Sequence, residues 1–146
     1  MRVLQVTGPA REVLAPEWLA RAERVHRMLR PQMPADYAAK MAKVFAGGGE
    51  MCVCAEGETV LGVAVYRSFE NTFSGHRFYV DDLVTDEARR SRGVGRMLLD
   101  HLQAEAKRRG ADSFELESGT QRTQAHKFYF REGMTISSFS FRKALK

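Results

Sequence analysis

Residues 59–69 constrain the fold more than any other stretch of this chain. Val60, Gly62, Ala64 and Tyr66 alternate with Leu61, Val63 and Val65, so a strand built from them is apolar on both faces. Such a strand belongs at the centre of a sheet that is covered on two sides. It follows residues 50–56 across the turn Glu56-Gly57-Glu58, which predicts a pair of neighbouring strands.

The flanking segments supply the cover. A short strand at Met1–Val6 precedes a helix opened by Ala15-Pro16-Glu17, with proline near its first position. Trp18, Ala22, Val25 and Leu29 recur at helical spacing and predict its core-facing stripe. Pro31 and Pro34 end it. A second helix is expected from about Ala35, with Tyr37, Met41, Val44 and Phe45 inward, stopping at Gly47-Gly48-Gly49. After a loop at Asn71–Gly75 comes a long strand, Arg77–Val84. A third helix starts at Gly93, buries Val94, Met97, Leu98, Leu102 and Ala106, and closes on Lys107-Arg108-Arg109-Gly110. A strand at Ser113–Ser118, a fourth helix from about Arg122 to Glu132 and a last strand near Ile136–Arg142 complete the order βααβββαβαβ. The expected class is α/β, one mixed β-sheet flanked by helices, in a single domain over residues 1–146.

Composition excludes several functions. No apolar run approaches the roughly 18–20 residues a membrane span needs, and the N-terminus lacks the apolar stretch of a secretory signal, so a cytoplasmic location without membrane contact is expected. Cys52 and Cys54 fall on one face of a strand, without a second Cys pair or nearby His to complete a metal site; buried free thiols are expected. His26, His76, His101 and His126 are scattered and form no metal pattern. The net charge is +5, but most cations are spread along helices as a solvated face, which argues against a nucleic-acid partner. Arg89, Arg90, Arg92 and Arg96 are the exception. They crowd around two glycines, where a phosphorylated small molecule fits better than a polynucleotide.

Those glycines lie where the long strand hands over to the third helix. Gly93 and Gly95 let backbone approach a ligand without an intervening Cβ. The amides that open a helix have no partner inside it, and with the helix dipole they suit a phosphate or pyrophosphate. Position 98 is Leu, so the GxGxxG dinucleotide pattern fails, and no Gly-Lys-Ser/Thr completes a P-loop. A GxG alone equally fits a plain tight turn.

Read with its flanks, the segment resembles a family signature. Arg90-x-x-Gly93-x-Gly95, preceded by the Asp82-Leu83-Val84 strand end, is similar to the acetyl-CoA signature of the GNAT N-acetyltransferases. Ala125-His126-Lys127-Phe128-Tyr129-Phe130-Arg131-Glu132-Gly133-Met134 resembles that family's A-x-x-F-Y-x-x-x-G-F helix, with Met in place of the last aromatic. The resemblance implies the GNAT acyl-CoA N-acyltransferase fold. It implies acetyl-CoA as co-substrate and transfer to a primary amine of a small molecule or peptide, by direct attack in a ternary complex. The alternative is a non-catalytic acyl-CoA-binding regulatory domain of the same fold. The backbone of Leu83, Val84 and Thr85 would pair with the pantetheine arm. The segment Arg90, Ser91, Arg92, Gly93, Val94, Gly95 and Arg96 would hold the pyrophosphate. Dimers are common in the family, which leaves a homodimer open.

The same resemblance makes Tyr129 the general acid that meets the CoA sulfur, and puts Asp81 and Asp82 beside the amine as candidates for the base. On a regular strand these two aspartates face opposite ways, and a bulge would change that. Arg122 stands where many relatives carry an asparagine, and the asparagine's role is not assigned to it. No metal is required for this chemistry. Asp81, Asp82, Glu115 and Glu117 together raise the expectation of a cationic acceptor.

Overall fold

The two-faced apolar strand forms as expected. In a computed structural model that describes residues 1–90 and 92–146, it is β3 (Thr59–Asn71), flanked by β2 (Glu50–Glu56) and β4 (Gly75–Thr85). β1 (Arg2–Gln5) and β5 (Ser113–Leu116) complete a five-stranded sheet in the order β1-β2-β3-β4-β5. β1 to β4 are antiparallel neighbours. β5 lies beside the first half of β4, where Asp112 N–H donates to the His76 carbonyl (2.8 Å) and Phe114 stacks on Phe78 with ring centroids 5.7 Å apart. The chain divides into two compact units, Met1–Glu115 and Leu116–Lys146.

In the first unit, α1 (Pro16–Leu29) and α2 (Tyr37–Ala46) cover one face of the sheet. Leu19, Ala22 and Val25 of α1 and Tyr37, Met41 and Phe45 of α2 bury against Met51, Val53, Val63 and Val65. Asp36 caps α2 by accepting a hydrogen bond from the Ala39 amide at 3.0 Å. Val60 joins this face although its parity differs from Val63, because a register shift opposite Cys54 and Ala55 inserts one residue into β3.

The other face receives α3 (Val94–Arg108), whose Leu98, Leu99 and Leu102 are fully buried. Cys52 and Cys54 are buried free thiols, with Cys54 Sγ 3.6 Å from Met97 Sδ. Burial pushes both thiols up. At its C-terminal end α3 is tied back to β2: the Arg109 guanidinium donates to both carboxylate oxygens of Glu50 at 2.8 Å each.

The second unit holds α4 (Thr123–Arg131). It ends on Gly133 in the left-handed region (φ +84°), with the Met134 amide reaching back to the Tyr129 carbonyl at 3.0 Å. The strand expected near Ile136–Arg142 does not form. Residues 134–146 have no regular element, and Ile136, Phe139 and Phe141 are exposed. Alternation supplies a strand with a face, but its hydrogen bonds must come from a neighbour, and none of the described strands pairs with this segment.

Gly62 sets how closely α3 approaches β3. A Cβ there would stand 2.7 Å from Val94 Cγ1 and 2.8 Å from Leu98 Cδ1, both on buried residues. Gly62→Val is therefore expected to overpack this layer at a cost of about 1–3 kcal/mol. Urea unfolding of the two proteins checks it, and equal midpoints would show that α3 yields freely.

Candidate active site

The site is organised by an irregularity in β4. Val65 pairs with Asp82 and Tyr66 with Val80, so Asp81 is an extra residue without a partner on β3. The expected opposition of the two aspartates is thereby lifted. Asp82 lies across from Val65, which belongs to the α1/α2 face. Asp81 accepts a hydrogen bond from Arg67 Nε at 2.9 Å. By strand alternation Arg67 shares Val65's face, so both carboxylates find their partners on the same side of the sheet.

Asp82 has both oxygens committed. His26 Nε2 lies 2.7 Å from Oδ2, while Arg30 donates to Oδ1 from Nε (2.9 Å) and Nη2 (2.6 Å). Arg30 Nη2 also reaches the Asp81 carbonyl at 3.2 Å. His26 is 1% exposed, and its Nδ1 lies 2.8 Å from the Tyr37 hydroxyl. The result is a chain of polar contacts from α2 through α1 to β4. Burial works to raise the Asp82 carboxyl, but hydrogen bonds from His26 and Arg30 outweigh it and hold it below the ordinary aspartate value of 3.8. Burial also pushes the Tyr37 hydroxyl up, so it keeps its proton.

His26 and Arg30 are site residues that the sequence did not single out. The signal was present: His26 falls four residues after Ala22 and seven after Leu19, a polar side chain on an otherwise apolar stripe, and Arg30 follows four later. Both border a cavity of about 200 Å³ beside Asp82, between α1 and α2, which Gln32, Met33, Lys40 and Val44 also line.

Leu83 and Val84 follow Asp82 as buried residues, and Thr85 is half-buried. β5 is four residues long against eleven in β4 and lies beside β4's first half. Asp86 then turns the chain. Its amide bonds to the Leu61 carbonyl (2.8 Å), and its carboxylate accepts from Arg24 (2.8 Å) and from the Ala88 amide (3.0 Å). The Arg24 hydrogen bond is the main reason the Asp86 carboxyl titrates below its ordinary value.

A short 3₁₀ turn at Glu87–Arg89 leads to Gly93, which caps α3 in the left-handed region (φ +79°, ψ 11°). A Cβ on Gly93 would meet no atom within 4 Å. The glycine is therefore required by its backbone angle and not by a lack of room for a side chain. The first-turn amides at Val94 and Gly95 have no acceptor within α3. Arg92 pairs with Glu56 at 3.2 Å and Arg96 with Asp100 at 3.8 Å, both exposed, while Arg90 is exposed at the end of the 3₁₀ turn. Ser91 lies outside the described residues. Thus β4 and its following turn bring Asp81, Asp82, Leu83, Val84, Thr85, Arg90, Arg92, Gly93, Val94, Gly95 and Arg96 into one continuous segment of the first unit.

In the second unit, Tyr129 is the buried residue of α4 and Arg122 its N-cap. Burial raises the Tyr129 hydroxyl above its ordinary value, while the Arg122 charge works the other way. Among the described residues, no cluster of His, Cys, Asp and Glu could hold a metal ion, and no helix is long and apolar enough to cross a membrane.

A carboxyl held low in the folded state contributes stability above its unfolded value, about 3.9, and loses it as pH falls through the folded value. Asp82→Asn is expected to cost roughly 1.5–3 kcal/mol at neutral pH, the usual worth of hydrogen bonds to a charged group. Denaturant unfolding of both proteins between pH 7 and pH 3 should show the gap closing on acidification. A gap that stays constant to pH 3 would mean that Asp82 is not anchored by its charge.

Among curated proteins, the chain is 44% identical over 70 residues to an uncharacterised N-acetyltransferase of Bacillus subtilis (strain 168), covering 47% of this chain and 49% of that protein. It is 34% identical over 89 residues to the aminoalkylphosphonate N-acetyltransferase of Salmonella typhimurium (strain LT2), covering 61% of this chain and 58% of that one. The chain thus spans about half the length of these curated relatives. Among solved structures, it superposes on an aminoglycoside acetyltransferase from an uncultured soil metagenomic sample with TM-score 0.80 at 14% identity, over 99% of this chain and 96% of that one. A Trypanosoma brucei acetyltransferase gives TM-score 0.76 at 20% identity, over 99% and 100%. Identities this low establish the shared fold alone. The profile of the Acetyltransferase (GNAT) family matches residues 17–134, from α1 to the end of α4, and the chain belongs to that family.

Proposed function

We propose that this protein moves an acetyl group from acetyl-CoA to the primary amine of a small molecule or peptide, acting as one cytoplasmic GNAT domain over residues 1–146. The observation that carries this reading is the start of α3. A left-handed Gly93, reached from β4 through the 3₁₀ turn, opens a helix whose first amides have no acceptor within it, with Arg90, Arg92 and Arg96 around it. That arrangement suits the pyrophosphate of a coenzyme A thioester. The ion pairs of Arg92 with Glu56 and of Arg96 with Asp100 are exposed, and pairs of this kind are worth little and are readily exchanged for a phosphate. Leu83, Val84 and Thr85 run beyond the stretch of β4 that β5 flanks, and so offer backbone groups to the pantetheine arm.

In the reaction, the amine nitrogen forms a bond to the thioester carbonyl carbon. The C–S bond then breaks with its electron pair on sulfur, the thiolate takes a proton, and the nitrogen gives one up. Tyr129 is assigned the proton donation by the motif it sits in. Its raised hydroxyl keeps the proton at neutral pH, as a general acid must. Asp82, with both oxygens engaged and its carboxyl held low, is a weak proton acceptor and orients its surroundings. Asp81 has one oxygen on Arg67 and the other uncommitted, so it is the better placed to receive the amine proton, directly or through water.

The test is an acetyl-CoA-dependent thiol-release screen across amine classes, with calorimetry of CoA binding. Tyr129→Phe keeps the ring and removes only the hydroxyl. It is expected to lower kcat by about 10²–10⁴-fold while CoA affinity stays unchanged. Turnover within a factor of two of the parent would leave Tyr129 a packing residue. Gly95→Val is expected to weaken CoA binding, since it puts bulk at the helix start, and an unchanged affinity would remove the phosphates from that place.

A further inference from the structure

Four acidic residues on neighbouring strands suggested a cationic acceptor, but in the first unit each carboxylate has a cation of its own. Asp81 is paired with Arg67, Asp82 with Arg30 and His26, and Glu115 with Arg77 at 3.1 Å. The charge of each of the three is thus already matched within the fold, so a second ammonium would find no carboxylate whose charge is unbalanced.

The charge left over beside Asp82 is positive. Lys40, on α2, lines the cavity, and its ammonium makes no hydrogen bond or ion pair with any described residue. Arg30, which also lines it, spends Nε and Nη2 on Asp82 and on the Asp81 carbonyl, which leaves Nη1 uncommitted. Gln32 adds a neutral amide, and Met33 and Val44 give the cavity apolar wall. A guanidinium edge and an ammonium lining one partly apolar hollow can seat a carboxylate or phosphonate with charge-assisted hydrogen bonds. The volume of about 200 Å³ equals roughly seven waters at ~30 Å³ each. A short chain of a few carbons fits it.

Position supplies the link to the chemistry. The cavity is bounded by Asp82, and the next residues along β4 are the Leu83–Thr85 edge proposed to take the pantetheine arm. An amine whose anionic end lies between Arg30 and Lys40 therefore has its nitrogen directed toward the reacting thioester. Resting on the amine acetylation proposed above, we infer that this cavity seats the anionic end of the acceptor, so that the preferred substrate is a small amine bearing a phosphonate or carboxylate group. Lys40 and Arg30 then decide specificity, and neither takes part in the proton transfers.

The experiment compares amines of similar length: 2-aminoethylphosphonate and β-alanine against propylamine and 1,3-diaminopropane. In the thiol-release assay at least one anionic amine is expected to exceed both of the others by tenfold or more in kcat/KM. Lys40→Glu should erase that preference, chiefly through KM, Lys40→Arg should retain it, and Lys43→Gln on the same helix should leave it unchanged. Equal or better turnover of propylamine or the diamine, or a preference that survives Lys40→Glu, overturns the inference while leaving acetyl transfer intact. If no amine is turned over, the acetylation reading fails and the seat is still tested by binding. The two anionic amines should raise the melting temperature of the parent protein and not that of Lys40→Glu, and the absence of such a shift overturns it.

Discussion

One extra residue in β4 governs the geometry of the candidate site. A regular strand would send Asp81 and Asp82 to opposite faces, one toward α3 and one toward α1. The register shift between Val65 and Tyr66 makes room for Asp81, and both carboxylates meet cations on the α1/α2 side. Bulges persist where their unpaired backbone is compensated. Here Arg30 does so directly, since the group that binds the Asp82 carboxylate also takes the Asp81 carbonyl.

That contact also joins helix to sheet. α1 and α2 are held to the sheet by an apolar cluster, which is non-directional and leaves a helix free to slide or rotate by small amounts. The chain from Tyr37 through His26 to Asp82 removes that freedom, because buried hydrogen bonds are lost on even a slight misalignment. The His26 and Asp82 wall of the cavity is therefore held in place. Its charge is fixed as well, because the carboxylate that faces it is already neutralised from within the fold.

The start of α3 is held by different means. Gly62 allows the helix to sit against β3, and Arg109 clamps its far end to Glu50. Both contacts hold α3 against the sheet, and the amides of its first turn are carried on that helix. Rigidity of this kind makes a helix terminus useful as an anion site, since the donors need not be ordered at the moment of binding.

The element order as far as α4, the helix faces and the glycine turn were legible in the sequence, because each follows from local rules. Two-sided hydrophobicity placed β3 at the centre, a 3.6-residue period placed the cores of α1 and α2, and Gly93 marked the only kind of residue that takes φ +79° without strain. The segment at Ile136–Arg142 obeyed the same local rules and formed no strand, since pairing needs a partner that pattern alone does not supply. The family likewise showed in two short motifs whose spacing is set by backbone geometry. Tertiary structure alone decided what surrounds the aspartates. Asp81 and Asp82 look like two acidic groups awaiting a cation until His26 and Arg30, more than fifty residues earlier in the chain, and Arg67, on the neighbouring strand, are brought against them. Charge in a folded protein belongs to neighbours in space, and Coulomb energy falls with distance regardless of where the residues stand in the chain. The sequence could thus fix which groups are present, while the balance of charge in the cavity depended on the fold that assembled them.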